Sequence, residues 1–146
     1  MSFIIMKGKI HFLTVLLLLT GCSSSSTSSS IHKHEYSEII DKKISYLDVF
    51  NVEDSNYYLY YYQEDCYHCH GIKSKVISFA LNSESAFYFI EVEKDYGFIS
   101  RTKEDTISTN DPMKAFALMT PQLSLVDNGY IKETYIGVEE ILNIIE

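Results

Sequence analysis

A chain of 146 residues has room for one domain, and 46% hydrophobic with 14% aromatic residues can bury a core, which excludes disorder throughout. Twelve Tyr and eight Phe, with no Trp, favour strands, so a sheet is expected. The formal charge is -8, and because Lys7 and Lys9 sit in the leader the remainder carries 10 basic residues against 20 acidic ones; that balance argues against nucleic acid as a partner and against a polybasic grip on anionic lipid.

From the N-terminus, Lys7, Lys9 and His11 form a short basic region, followed by the apolar run Phe12 to Leu19 and then Thr20-Gly21-Cys22. That order reads as a secretory signal over residues 1–21, since the apolar run is shorter than the roughly 20 residues a bilayer span needs. Leu19-Thr20-Gly21-Cys22 resembles the bacterial lipobox, which implies cleavage before Cys22 and lipidation of its sulfur. An ordinary cleaved signal with an incidental Cys is the competing reading. Ser23 to Ser30 is an unbroken Ser/Thr run, so residues 22–33 are expected to be a lipidated Cys and a flexible tether on the order of 20 Å long. These features predict a lipid-anchored domain on the extracytoplasmic face of the cell membrane.

The folded domain is expected over residues 34–146. Ile39, Ile40, Ile44 and Leu47 recur at helical spacing, which predicts an amphipathic first helix from His34 to Leu47. Tyr57 to Tyr62 is too short and too aromatic for a helix and reads as a central strand, although Tyr-rich runs also bind peptides or sugars. Gln63-Glu64-Asp65 then leads to Cys66-Tyr67-His68-Cys69 and a helical pattern from His70 through Leu81. Ala86 to Val92 is a second apolar strand, and the alternation predicts a parallel βαβ unit. Residues 93–110 are polar and weakly patterned, an irregular insertion. Asp111-Pro112-Met113 resembles a helix start with Pro at its first position, continuing through Leu118 to Thr120-Pro121. Gln122 to Val126 and Tyr130 to Tyr135 form a hairpin around Asp127-Asn128-Gly129, and Val138 to Ile145 closes the chain as a helix.

With Cys22 lipidated, only Cys66 and Cys69 keep free sulfur chemistry, so no structural disulfide framework can form. Two Cys at i and i+3 on a first helical turn face the same way and can close and reopen a disulfide without moving the fold. The N-terminal sulfur sits at the positive end of the helix dipole, which favours its thiolate. Cys66 is therefore the expected attacking thiol and Cys69 the resolving one. His68 is placed to favour the thiolate and make the pair more oxidising, whereas Asp65 and Glu64 oppose it. A plain reading of His68 is an exposed helix residue without a role.

Strand, C-x-x-C, helix, strand, Thr120-Pro121, hairpin and final helix together resemble the thioredoxin superfamily over roughly residues 34–146. The resemblance implies an α/β three-layer fold with a central mixed sheet flanked by helices, and thiol–disulfide oxidoreductase activity with no cofactor and no metal. It further implies a cis Pro121 whose loop lies against the cysteine pair, with Thr120 offering backbone groups to an extended substrate peptide. A trans, strand-starting Pro121 is the alternative. His68 resembles the arrangement in disulfide oxidases and isomerases. Three departures stand out: Asp65 replaces the Trp before the first Cys, Tyr60 stands where thioredoxin keeps a buried acid, and residues 93–110 are long. The expected partners are thiols and disulfides of envelope or secreted proteins, met by a monomer.

Two other classes fit parts of the same sequence. Cys66-Tyr67-His68-Cys69-His70 satisfies C-x-x-C-H, the attachment signature of c-type haem, with His70 as axial ligand and Met113 or Met119 as a second; the flanking strands speak against an all-helical cytochrome. Cys66, Cys69 and a nearby His could also serve copper or zinc, although a closed zinc site wants four ligands.

Overall fold

The computed structural model describes residues 33–93 and 102–146. The Tyr-rich run is strand β1, Asn56–Tyr62, and β2 spans Ala86–Glu91; β3, Gln122–Asp127, and β4, Tyr130–Ile136, complete one four-stranded sheet in the order β2-β1-β3-β4. β1 pairs parallel with β2 and antiparallel with β3, so Tyr60 faces Phe89 on one side and Leu123 on the other. A register shift between Leu125 and Val126 marks a bulge against β4. The hairpin turns on Asn128 and Gly129, with φ of 51° and 81°, a left-handed pair that suits the twist of the strands.

Period-two alternation along β1 sorts its side chains between two cores. Tyr60 and Tyr62 join Phe87, Phe89 and Leu123 under α1, Tyr67–Asn82, and α3, Gly137–Ile145, which pack on one another. Tyr57, Leu59 and Tyr61 face the opposite way with Ile90, Val126, Ile131 and Phe116. Because both faces of β1 are covered, the run is apolar throughout and not alternating. The result is a mixed sheet between helical layers, with the N-terminus of α1 directly after the C-terminal end of the central strand.

Two expected helices are not formed as read. His34 to Leu47 is two short 3-10 turns, Tyr36–Lys42 and Tyr46–Asp48, kinked at Ile39, and Ile40 and Leu47 remain 67% and 54% exposed. The cause is the sheet edge: Lys43 bridges Phe89 and the Ile44 N–H donates to the Phe89 carbonyl at 3.0 Å, pulling the chain extended where a helix would continue. Tyr36 is kept against α1 by the ion pair of neighbouring Glu35 with the buried Lys73. Asp111 caps the Pro112 helix as expected, accepting the Met113 N–H at 2.9 Å, but that helix, α2, ends at Ala115 after one turn. Phe116 and Ala117 then enter the second core, and the Leu118 N–H is satisfied by Gln122 Oε1 at 2.8 Å. Within the expected insertion, Glu104–Thr106 is a 3-10 turn, while 94–101 lies outside the described residues, as do the signal, Cys22 and all but the last residue of the tether.

Candidate functional site

Cys66 is the N-cap of the 16-residue α1 with extended backbone (φ -74°, ψ 116°), so its sulfur turns back over the first turn of amides. The Cys69 N–H donates to Cys66 Sγ at 3.2 Å, giving the sulfur one of the unpaired donors of the helix end together with the positive end of the dipole. Both cysteines are free thiols, and they differ sharply in exposure: Cys66 is half-buried, Cys69 is 0% exposed. Burial pushes the Cys69 thiol up to about 12; its contact with Cys66 acts in the same direction, while the Gln63 backbone and the Thr120 side chain pull the other way. One sulfur is therefore presented to solvent at an anion-stabilising position and the other is held neutral in the core.

The Thr120–Pro121 peptide is cis, and its loop lies against the pair. The Cys66 S–H points at the Thr120 carbonyl at 3.6 Å, and the Thr120 hydroxyl donates to Gln63 Oε1 at 3.0 Å. Pro121 is buried and Thr120 half-buried. Cys66, Cys69, Thr120 and Pro121, all expected from the sequence, are thus brought together at the end of β1. His68 and Asp65 are exposed on either side of Cys66, and the Tyr67 ring, 85% exposed, meets the His68 ring edge-on at 5.7 Å between centroids. An open groove of about 490 Å³ runs from Tyr67, His68 and His70 to Val138 and Leu142 on α3.

On its core side Cys69 packs with Tyr36, Tyr60 and Tyr62, Tyr36 stacked on Tyr62 at 4.0 Å. No Asp or Glu is buried among the described residues. The Tyr36 and Tyr60 hydroxyls neighbour each other without completing a hydrogen bond, and burial raises both phenols above their ordinary range. Neither can give up its proton and carry charge there, so they are neutral packing partners of the thiol.

The sequence matches no protein-family model and no curated protein. The structure is similar in fold to solved thioredoxins. Thioredoxin f2 of Chlamydomonas reinhardtii superimposes with a TM-score of 0.50 at 14% identity, covering 70% of this chain and 91% of that one. Mitochondrial thioredoxin 3 of Saccharomyces cerevisiae, in its oxidized form, gives 0.52 at 12% identity over 71% and 92%. The chain has a thioredoxin-like fold. Identity this low carries the architecture and nothing finer.

The thioredoxin-like frame also bears on the other classes. A thioether-bound haem needs both sulfurs on one side of the macrocycle, but Cys69 points into the core while His70 is exposed. The mixed sheet also departs from the all-helical cytochrome that the signature implied. Among the described residues no group of three His, Cys, Asp or Glu side chains is placed to hold a metal ion. The site residue that the sequence did not single out is Gln63. Its only signal was its place three residues before Cys66, and its role depends on Thr120, 57 positions away.

Proposed function

We propose that this protein is a thiol–disulfide oxidoreductase that works through Cys66 and Cys69. The observation that carries the reading is the asymmetry of the pair: Cys66 Sγ at the N-cap of α1 with the Cys69 N–H at 3.2 Å, and Cys69 wholly buried behind it. In reduction of a substrate disulfide, the Cys66 thiolate attacks one substrate sulfur, that S–S bond breaks, and a mixed disulfide forms as the first substrate thiolate leaves. Cys69 then gives up its proton and attacks Cys66 Sγ, expelling the second substrate thiolate and closing the Cys66–Cys69 disulfide. Two electrons pass to the substrate, and the reverse sequence oxidises it. Intramolecular placement makes up for the reluctance of the buried thiol to ionise, because its target sulfur is always within one helical turn.

The finer parts of the proposal rest on sequence and local geometry. Thr120 offers backbone groups to an extended substrate peptide beside Cys66. His68 draws the pair toward the oxidising side and Asp65 opposes it. Cys22 is the lipid anchor, placing the domain at the outer face of the membrane among thiols and disulfides of envelope or secreted proteins. No described helix is long and apolar enough to cross a membrane.

The test is substrate trapping in cells. Cys69→Ser should accumulate mixed disulfides through Cys66, and Cys66→Ser should accumulate few. Equal trapping by the two variants would contradict the roles, and no adducts in either would remove the proposal.

A further inference from the structure

We propose that Gln63 is a positioning residue that fastens the Thr120–Pro121 loop to the attacking cysteine, and that it does so for substrate peptides and not for the sulfur's own reactivity. This inference rests on the oxidoreductase reading. Gln63 follows directly on β1 and touches both Cys66 and Thr120. Its backbone carbonyl accepts the Cys66 N–H at 3.3 Å, which shapes the turn that ends in the N-cap. Its side-chain Oε1 accepts the Thr120 hydroxyl at 3.0 Å. Thr120 in turn presents its carbonyl to the Cys66 S–H at 3.6 Å. The three contacts close a ring from Gln63 to Cys66 to Thr120 and back, joining segments that the chain separates by more than fifty residues.

The backbone contact belongs to the turn and survives any side-chain change. The side-chain contact is different, because it holds the loop whose backbone must sit at a fixed distance from Cys66 Sγ for a bound peptide to place its disulfide in line. A reagent that only collides with the sulfur has no use for that loop. Removing the Gln63 acceptor should therefore slow exchange with a peptide disulfide and spare alkylation by a small molecule. The Gln63→Glu variant would keep an oxygen acceptor for the Thr120 hydroxyl while adding a charge that disfavours the Cys66 thiolate, so it should slow both reactions together.

The experiment uses the full-length reduced protein and two probes: a neutral synthetic peptide closed by one disulfide, and iodoacetamide at Cys66. Gln63→Leu, one bond shorter and without polar atoms, should slow peptide exchange by about fivefold, the worth of one neutral hydrogen bond, with iodoacetamide alkylation within about twofold of wild type. Gln63→Glu should restore the peptide-to-iodoacetamide rate ratio to the wild-type value even as both rates fall. An unchanged ratio in Gln63→Leu, whether both rates hold or both drop, would overturn the proposal. A wild-type protein that alkylates at Cys66 yet exchanges with no disulfide would instead overturn the oxidoreductase reading, so the two failures are distinguishable.

Discussion

The difference between the two thiols makes a quantitative prediction about alkylation. With its thiol pushed up to about 12 by burial, Cys69 is ionised in roughly one molecule in 10⁴ at about pH 8, whereas an ordinary thiol near 8.5 is about one quarter thiolate. The thiolate is the reacting form, so Cys69 should alkylate about 10³-fold more slowly than a free cysteine before steric shielding is counted. Desolvation is the leading cause of the shift, so the effect should persist when Cys66 is removed. The assay is timed iodoacetamide treatment of Cys66→Ser and Cys69→Ser in the full chain, with quenched samples mapped by mass spectrometry so that Cys22 is scored separately. Cys66 in the second variant should be modified in minutes while Cys69 in the first stays largely unmodified. Rates within tenfold of each other would refute the claim that Cys69 is held neutral by the core.

Stability should fall in alkali. Cys69 is protonated in both folded and unfolded chains below about 9, but between about 9 and 12 only the unfolded chain releases the proton. This one group therefore removes up to about 1.4 kcal/mol per pH unit across that window, and a Cys69→Ala variant should show a shallower decline in denaturant titrations. Tyr60→Phe should leave the melting temperature unchanged or raise it, because the hydroxyl it removes is buried without a hydrogen bond; a loss above about 1 kcal/mol would contradict that. Phe89→Ala, which empties a wholly buried position on β2 in the core under α1 and α3, should cost about 3–5 kcal/mol in the same titrations, and a cost under about 1 kcal/mol would show that the core collapses around the gap. His68→Ala should make the pair more reducing and Asp65→Asn more oxidising in a glutathione titration, with each 30 mV equal to about 1.4 kcal/mol; a His68→Ala potential at or above wild type would refute the oxidant reading.

Most of what positions the site could be read from the chain. Tyr57 to Tyr62 showed a strand covered on both faces, the spacing to Ala86 showed a parallel crossover, and Asn128-Gly129 showed the hairpin, because in each case local preference and burial pattern point the same way. The placement of Cys66 at the start of a helix followed from the order of elements, and that of Pro121 beside it from the resemblance to the thioredoxin superfamily. What stayed hidden depends on contacts between distant segments. Residues 34–47 have helical spacing, yet the edge of β2 captures Lys43 and Ile44, a competition invisible in a local window. Phe116 ends its helix early because the second core takes its ring. Gln63 has no motif of its own, and its function exists only once the fold brings Thr120 to it.

The central claim is that Cys66 and Cys69 interconvert between dithiol and disulfide as a functional pair. Equilibrating the protein across a series of glutathione buffers and scoring the internal Cys66–Cys69 disulfide by mass, apart from glutathione adducts, should give a single two-electron transition. Under the proposed roles for His68 and the α1 dipole, its midpoint should lie above the roughly -270 mV of thioredoxin, and the transition should be absent from Cys66→Ser and Cys69→Ser. A pair that stays reduced throughout the series, or a transition that survives either substitution, would contradict the account.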